Sequence, residues 1–90
     1  MSPIDRAARA LATSQGGEGV WDLLDAAHRE KLKEGVRHML RALRDPDERM
    51  SESGAEIVRN VGSGESQEAY RSDAANTWRY MIDALLDEDG

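Results

Sequence analysis

Apolar positions recur along this chain at helical spacing, and polar stretches divide them into four segments. Ser2-Pro3-Ile4-Asp5 has the form of a helix start: Ser2 as N-cap, Pro3 at the first helical position, Asp5 as the capping-box partner. Ile4, Ala7, Ala8 and Leu11 then share one face, and the helix is expected to stop in Thr13-Ser-Gln-Gly-Gly-Glu-Gly19. From Val20 to Arg44 the pattern is helical in two phases. Leu32, Val36, Met39, Leu40 and Leu43 make one stripe, which carried backwards takes in Trp21 and His28 but places Asp25 near its centre. Val20, Leu23, Leu24 and Ala27 prefer a rotated face, so the spacing predicts a kink or break near 26–29.

Asp45-Pro46-Asp47-Glu48 repeats the start signal, with Asp45 capping, Pro46 opening and Glu48 reaching back. Met50, Gly54, Ile57, Val58 and Val61 share a face, and Asn60 and Gly62 are candidate terminators before the loop Ser63-Gly-Glu-Ser66. The last helix is expected over 67–87, with Tyr70, Ala74, Trp78, Met81, Ile82 and Leu85 inward. Fraying is expected at Asp87-Glu-Asp89, where carboxylates oppose the helix dipole. The sequence therefore predicts one all-α domain over 1–90, with helices near 3–13, 20–44 (kinked), 46–60 and 67–87. An offset of 42 residues lays Arg37-His-Met-Leu-Arg-Ala-Leu43 over Arg79-Tyr-Met-Ile-Asp-Ala-Leu85, His28 over Tyr70 and Val36 over Trp78. The expected architecture is thus a four-helix bundle-like arrangement of two helical hairpins with an internal pseudo-two-fold. Trp21 and Trp78 read as core anchors, and His28 as half-buried. Gly35 and Gly54, in mid-helix, suggest a tight crossing of the second and third helices.

Composition narrows the chemistry. The 90 residues include no cysteine, which excludes disulfides, thiolate metal sites and thiol nucleophiles. With two histidines, a zinc site would have to borrow carboxylates, and no cofactor is expected. No Ser, His and Asp grouping forms a motif. The glycines of Gly16-Gly-Glu-Gly19 do not follow a strand, so neither catalysis nor nucleotide binding is expected. No apolar run approaches the roughly 20 residues of a membrane span. Met1-Ser-Pro-Ile-Asp5 lacks a secretory pattern, so a cytoplasmic location and no membrane association are expected.

The net charge of −6, from 18 acidic and 12 basic residues, is unevenly distributed. Lys33, Arg37, Arg41 and Arg44 form a basic stripe within 28–45, a segment holding six basic and three acidic residues. Such a stripe can meet phosphates or an acidic partner. The plainer reading, a solvated face answered by Glu30 and Glu34 along the helix, is favoured. Asp73, Asn76, Tyr80, Asp83 and Asp87 line a polar arc of the last helix. That arc can imitate a nucleic-acid backbone, or pair with the basic stripe of a second copy in a homodimer. A solvated face is again the plainer reading, although Tyr80 fits it poorly, since an aromatic on a polar face often marks a contact.

Ala8-Arg-Ala-Leu11, the Gly-rich loop with Trp21, Val36-Arg-His-Met-Leu-Arg-Ala-Leu-Arg-Asp-Pro46 with Met50, and Ala75-Asn-Thr-Trp-Arg-Tyr-Met-Ile-Asp-Ala-Leu-Leu86 together form a pattern. It resembles short uncharacterised helical proteins of bacterial phage and prophage regions, over most of the chain. Small acidic anti-CRISPR-type inhibitors are similar in size and charge. The shared motifs are helix signals, so no cofactor or catalytic residue comes with the resemblance. No function transfers from it; it favours a phage-type accessory or inhibitory protein, and the expected function is that of a non-catalytic protein-binding accessory module of phage type. The alternatives are an inhibitor of nucleic-acid machinery acting as an acidic mimic, and a nucleic-acid binder using the basic stripe. The expected partner is a protein, a nucleic-acid-processing complex among the candidates, with direct nucleic-acid binding disfavoured.

Overall fold

The computed structural model describes residues 1–61 and 66–88, and within them the chain is all-α. Five helices follow one another: α1 (Pro3–Gly16), α2 (Val20–Leu23), α3 (Ala26–Ala42), α4 (Glu48–Val61) and α5 (Gln67–Glu88). The Ser2–Asp5 box forms as the sequence predicts, each residue's side chain accepting the other's backbone N–H. α1 runs three residues further than expected. It ends only at Gly17, whose φ of 93° is open to glycine and whose N–H closes on the Thr13 carbonyl at 2.8 Å.

The expected kink is a complete break, and it lies earlier than 26–29. Leu24 is extended, and Asp25 accepts the His28 N–H at 2.8 Å as N-cap of α3. The carboxylate that sat awkwardly in the apolar stripe is thus the residue that starts a new helix. His28 consequently faces solvent, not the core, with its Nδ1 at 2.7 Å from Asp25.

A second cap is also displaced. α4 begins at Glu48, and Asp47, not Asp45, accepts the Met50 N–H at 2.8 Å. Asp45 instead accepts from Arg79 Nε on α5 at 3.0 Å. Asn60 lies within α4, which runs to Val61. Gly62, the loop residues 63–65 and Asp89 lie outside the described residues. Ser66 opens α5, its Oγ accepting the Ala69 N–H.

The helices pack in pairs, α1 with α3 and α4 with α5, and a narrower contact joins α3 to α5. The molecule extends over 54 × 25 × 20 Å. Its radius of gyration of 16.9 Å exceeds the roughly 12 Å expected of a compact chain of this length. The first hairpin is built on Ile4, Ala8, Ala12, Trp21 and Val36, with Val20, Leu24, Leu32 and Leu40 partly covered around them. Arg29 holds Trp21 in place, its Nε donating to the Trp21 carbonyl while the guanidinium lies 5.2 Å from the ring centroid. In the second hairpin Ala55, Tyr70, Ala75 and Ile82 are buried. Gly54 brings α4 onto α5, since an added Cβ would stand 2.7 Å from that of Ala74. The close crossing is therefore between α4 and α5, not between the second and third helices. At Gly35 an added Cβ meets nothing within 4 Å.

A polar seam joins the hairpins. Trp78 Nε1 donates to the Leu43 carbonyl at 2.7 Å, capping the end of α3 from a distance. Arg44 grips Asp83 through two hydrogen bonds, of 2.8 and 3.1 Å. Trp78 is thus half-buried at the seam, and not the core anchor its spacing suggests.

Candidate functional site

The basic stripe folds into an internal ion-pair network. Lys33 Nζ lies 3.1 Å from Asp5 on α1 and 3.7 Å from Glu30. Arg37 is buried and donates to Glu34 at 2.8 Å and Glu30 at 3.2 Å. Arg44 is engaged by Asp83, and Arg41, half-exposed, stands 3.9 Å from Glu34. Glu30 and Glu34 answer the stripe along the helix, at spacings of three and seven residues, whereas Asp5 and Asp83 reach it from other helices. The protonation behaviour follows the same geometry. Hydrogen bonds from Lys33 and then Ser2 hold the Asp5 carboxyl below its ordinary 3.8. Arg44 does the same to Asp83, and Asp83 in turn raises Arg44. The His28 backbone N–H, then its ring, lowers Asp25.

The acidic arc divides differently. Asp83 belongs to the seam, and Asn76 Oδ1 accepts from Arg79 at 3.2 Å. Asp73 and Asp87 are exposed, and their carboxylates have no partner among the described residues. Between them Tyr80 is 74% exposed, two helical turns from each. Met81 beside it is 61% exposed, although its spacing predicts an inward position. Met39, Leu43, Met50 and Ile57 are likewise more exposed than the stripes of α3 and α4 imply.

A feature of the first hairpin emerges only from the fold. Between α1, α2 and α3 lies an open groove of about 440 Å³, walled by Leu11, Val20, Leu24 and Leu32 and floored beside Gly35. Lys31 and His28 stand at its edge, and no carboxylate lines it. The Lys31 ammonium has no partner among the described residues. Leu23, 85% exposed, sits on the adjoining α2. The signal in the sequence was the rotated phase of Val20, Leu23 and Leu24, which marks an apolar face without showing that nothing covers it.

No group of three or more His, Cys, Asp or Glu among the described residues is disposed to hold a metal ion. No helix among them is long and apolar enough to cross a membrane. The arrangement offers apolar relief, one aromatic and unpaired charges, which are the materials of macromolecular recognition. Compared with known proteins, the chain matches no family model, no curated protein and no solved structure.

Proposed function

We propose that this chain is a non-catalytic protein-binding module of the phage accessory type, acting in the cytoplasm. Its contact surface is the outer arc of α5 together with the open groove of the first hairpin. The observation that carries this reading is Tyr80. An aromatic side chain 74% exposed, between two carboxylates without a partner among the described residues, lies largely outside the packing of its own chain, and residues of this type anchor interfaces. The phage assignment rests on the resemblance of the helix-start and Trp-containing segments. The bundle-like pairing of two related hairpins belongs to the same proposal. It draws support from the 42-residue offset, which carries α3 onto 68–84 within α5.

A second reading, an inhibitor that occupies the nucleic-acid groove of a processing complex, draws on the 12 acidic against four basic residues of 45–90. Direct nucleic-acid binding through Lys33, Arg37, Arg41 and Arg44 has the least support, because the first, second and fourth are engaged within the chain.

The test is affinity capture from bacterial lysate with and without nuclease, using the native chain and a Tyr80→Ala, Asp73→Lys, Asp87→Lys variant. A protein partner held by the native chain and lost by the variant, with helical circular dichroism unchanged, is the expected result. Equal retention by both chains would overturn the assignment of the α5 arc. A nucleic-acid-processing complex released by added DNA and by salt would select the inhibitor reading.

A further inference from the structure

We infer that the groove between α1 and α3 receives α5 of a second copy of this chain, with Tyr80 as the anchor, in a two-fold dimer. The inference rests on the protein-binding reading above and names the occupant of its groove.

Four observations converge on a second copy. The first is the shape of α5. Its packed side is set by Ala75 and Ile82, yet Tyr80, two residues from Ile82 and so nearly opposite it on the helix, is exposed together with Met81 and Ala84. Tyr80, Met81 and Ala84 thus give this otherwise polar side of α5 apolar surface that its own hairpin leaves uncovered. The second is charge. The groove lining includes Lys31, without a partner among the described residues, and no carboxylate, the nearby Asp25 being taken up by His28. Tyr80 is flanked at seven-residue spacing by Asp73 and Asp87, which have no partner among the described residues. On a larger scale, residues 1–44 hold eight basic and six acidic residues, and residues 45–90 hold four and twelve. An antiparallel pairing of two copies sets each positive half against a negative one, twice.

The third is area. A compact monomer of 10.0 kDa exposes about 5,200 Å². This chain exposes 6321 Å², an excess of roughly 1,100 Å². A stable dimer covers about 800 Å² on each partner, so the surplus is of the size a second copy would hide. The fourth is Gly35. Its missing side chain leaves open space on the groove side of α3, which admits another helix closely. Gly35, Met39 and Leu43 follow one another at helical repeat along α3, extending that face toward the seam. In the dimer, α5 of one copy lies beside α1 and α3 of the other. The bundle predicted from the sequence is then completed between chains.

Sedimentation velocity across concentrations tests this. The native chain is expected to reach twice its 10.0 kDa mass at tens of micromolar. Gly35→Leu fills the groove with a side chain that its own fold leaves room for, and leucine favours a helix more than glycine does, so failure to fold is not the expected outcome. That variant and Tyr80→Glu are expected to weaken association roughly thirtyfold or more. Lys31→Glu alone weakens it, as does Asp73→Lys with Asp87→Lys, while mixing the two restores a mixed dimer by exchanging charge across the contact. A native chain monomeric at about 200 µM, or a dimer unaffected by Gly35→Leu, would overturn the inference. Capture of a foreign protein by a monomeric native chain would end it too, while leaving the protein-binding reading intact.

Discussion

The two hairpins use the same device, a glycine in the middle of a helix, to opposite ends. In the second hairpin Gly54 lets α4 settle against Ala74 of α5, and the two helices close on each other. In the first hairpin Gly35 faces open space, and the helices around it leave a groove of about 440 Å³. From the sequence both glycines read alike, as mid-helix positions that suit a close helix approach. The contrast shows that a helix-interior glycine marks either a contact already made or room for one to come. Only the position of the neighbouring helix decides which.

The contrast can be broken most forcefully at Gly54. Replacing it by leucine drives a side chain into Ala74, and overpacking of this kind is expected to cost about 2–3 kcal/mol in urea unfolding monitored by circular dichroism. A loss as small as that of an ordinary surface substitution would mean that α4 and α5 are not tightly seated. The seam comes next. Trp78→Phe keeps most of the ring but removes the donor to the Leu43 carbonyl, with an expected loss of about 1 kcal/mol by the same assay.

Gly35→Ala sharpens the comparison from the other side. With nothing within 4 Å of the new methyl group, the helix gains propensity without strain, and stability is expected to rise by up to about 1 kcal/mol. A destabilised Gly35→Ala protein would show that the groove is closed in solution. The smallest effect is one of pH. Arg44 holds Asp83 below its ordinary 3.8, so the folded state binds that proton less readily than the unfolded chain. The contribution is fully present above the unfolded value and is lost as pH falls through the depressed folded value. Asp83→Asn is therefore expected to flatten the stability profile only below about pH 4, in urea titrations at stepped pH. A loss of stability in Asp83→Asn that persists undiminished in acid would point to a different role for the pair.

Most of the helical framework was legible because its signals are local. Ser2 and Asp5 are three residues apart, and their box can be read without knowing the fold. Asp25 disturbs the apolar stripe, yet the predicted break lies a few residues late, because periodicity registers a change of phase only after the new helix has established itself. Asp45 and Asp47 carry the same capping group, and Asp45, the predicted cap, is instead held by Arg79, 34 residues away. The same limitation governs exposure. The stripes of α3 to α5 identify the apolar sides of Met39, Ile57 and Met81 correctly as sides, but whether another helix lies there is a long-range fact. The pairing of Lys33 with Asp5 and of Arg44 with Asp83 is long-range as well. The candidate arc at Tyr80 was visible as an aromatic among acids. The groove was not, because it is defined by what fails to cover Gly35.

The seam also bears on how the chain assembles. Some contacts within the hairpins are short in sequence, such as Arg29 with Trp21 eight residues away and Gly54 against Ala74, whereas Trp78–Leu43 and Arg44–Asp83 close loops of 35 and 39 residues. Loop-closure entropy favours the shorter contacts first, so the turn around Trp21 and the α4–α5 crossing are expected to form before the seam closes. The two tryptophans stand on opposite sides of that sequence of events. Trp21 lies in the first hairpin against Arg29, and Trp78 at the seam with its indole N–H committed. Fluorescence from single-tryptophan variants can therefore time the turn around Trp21 and the closing of the seam as separate steps.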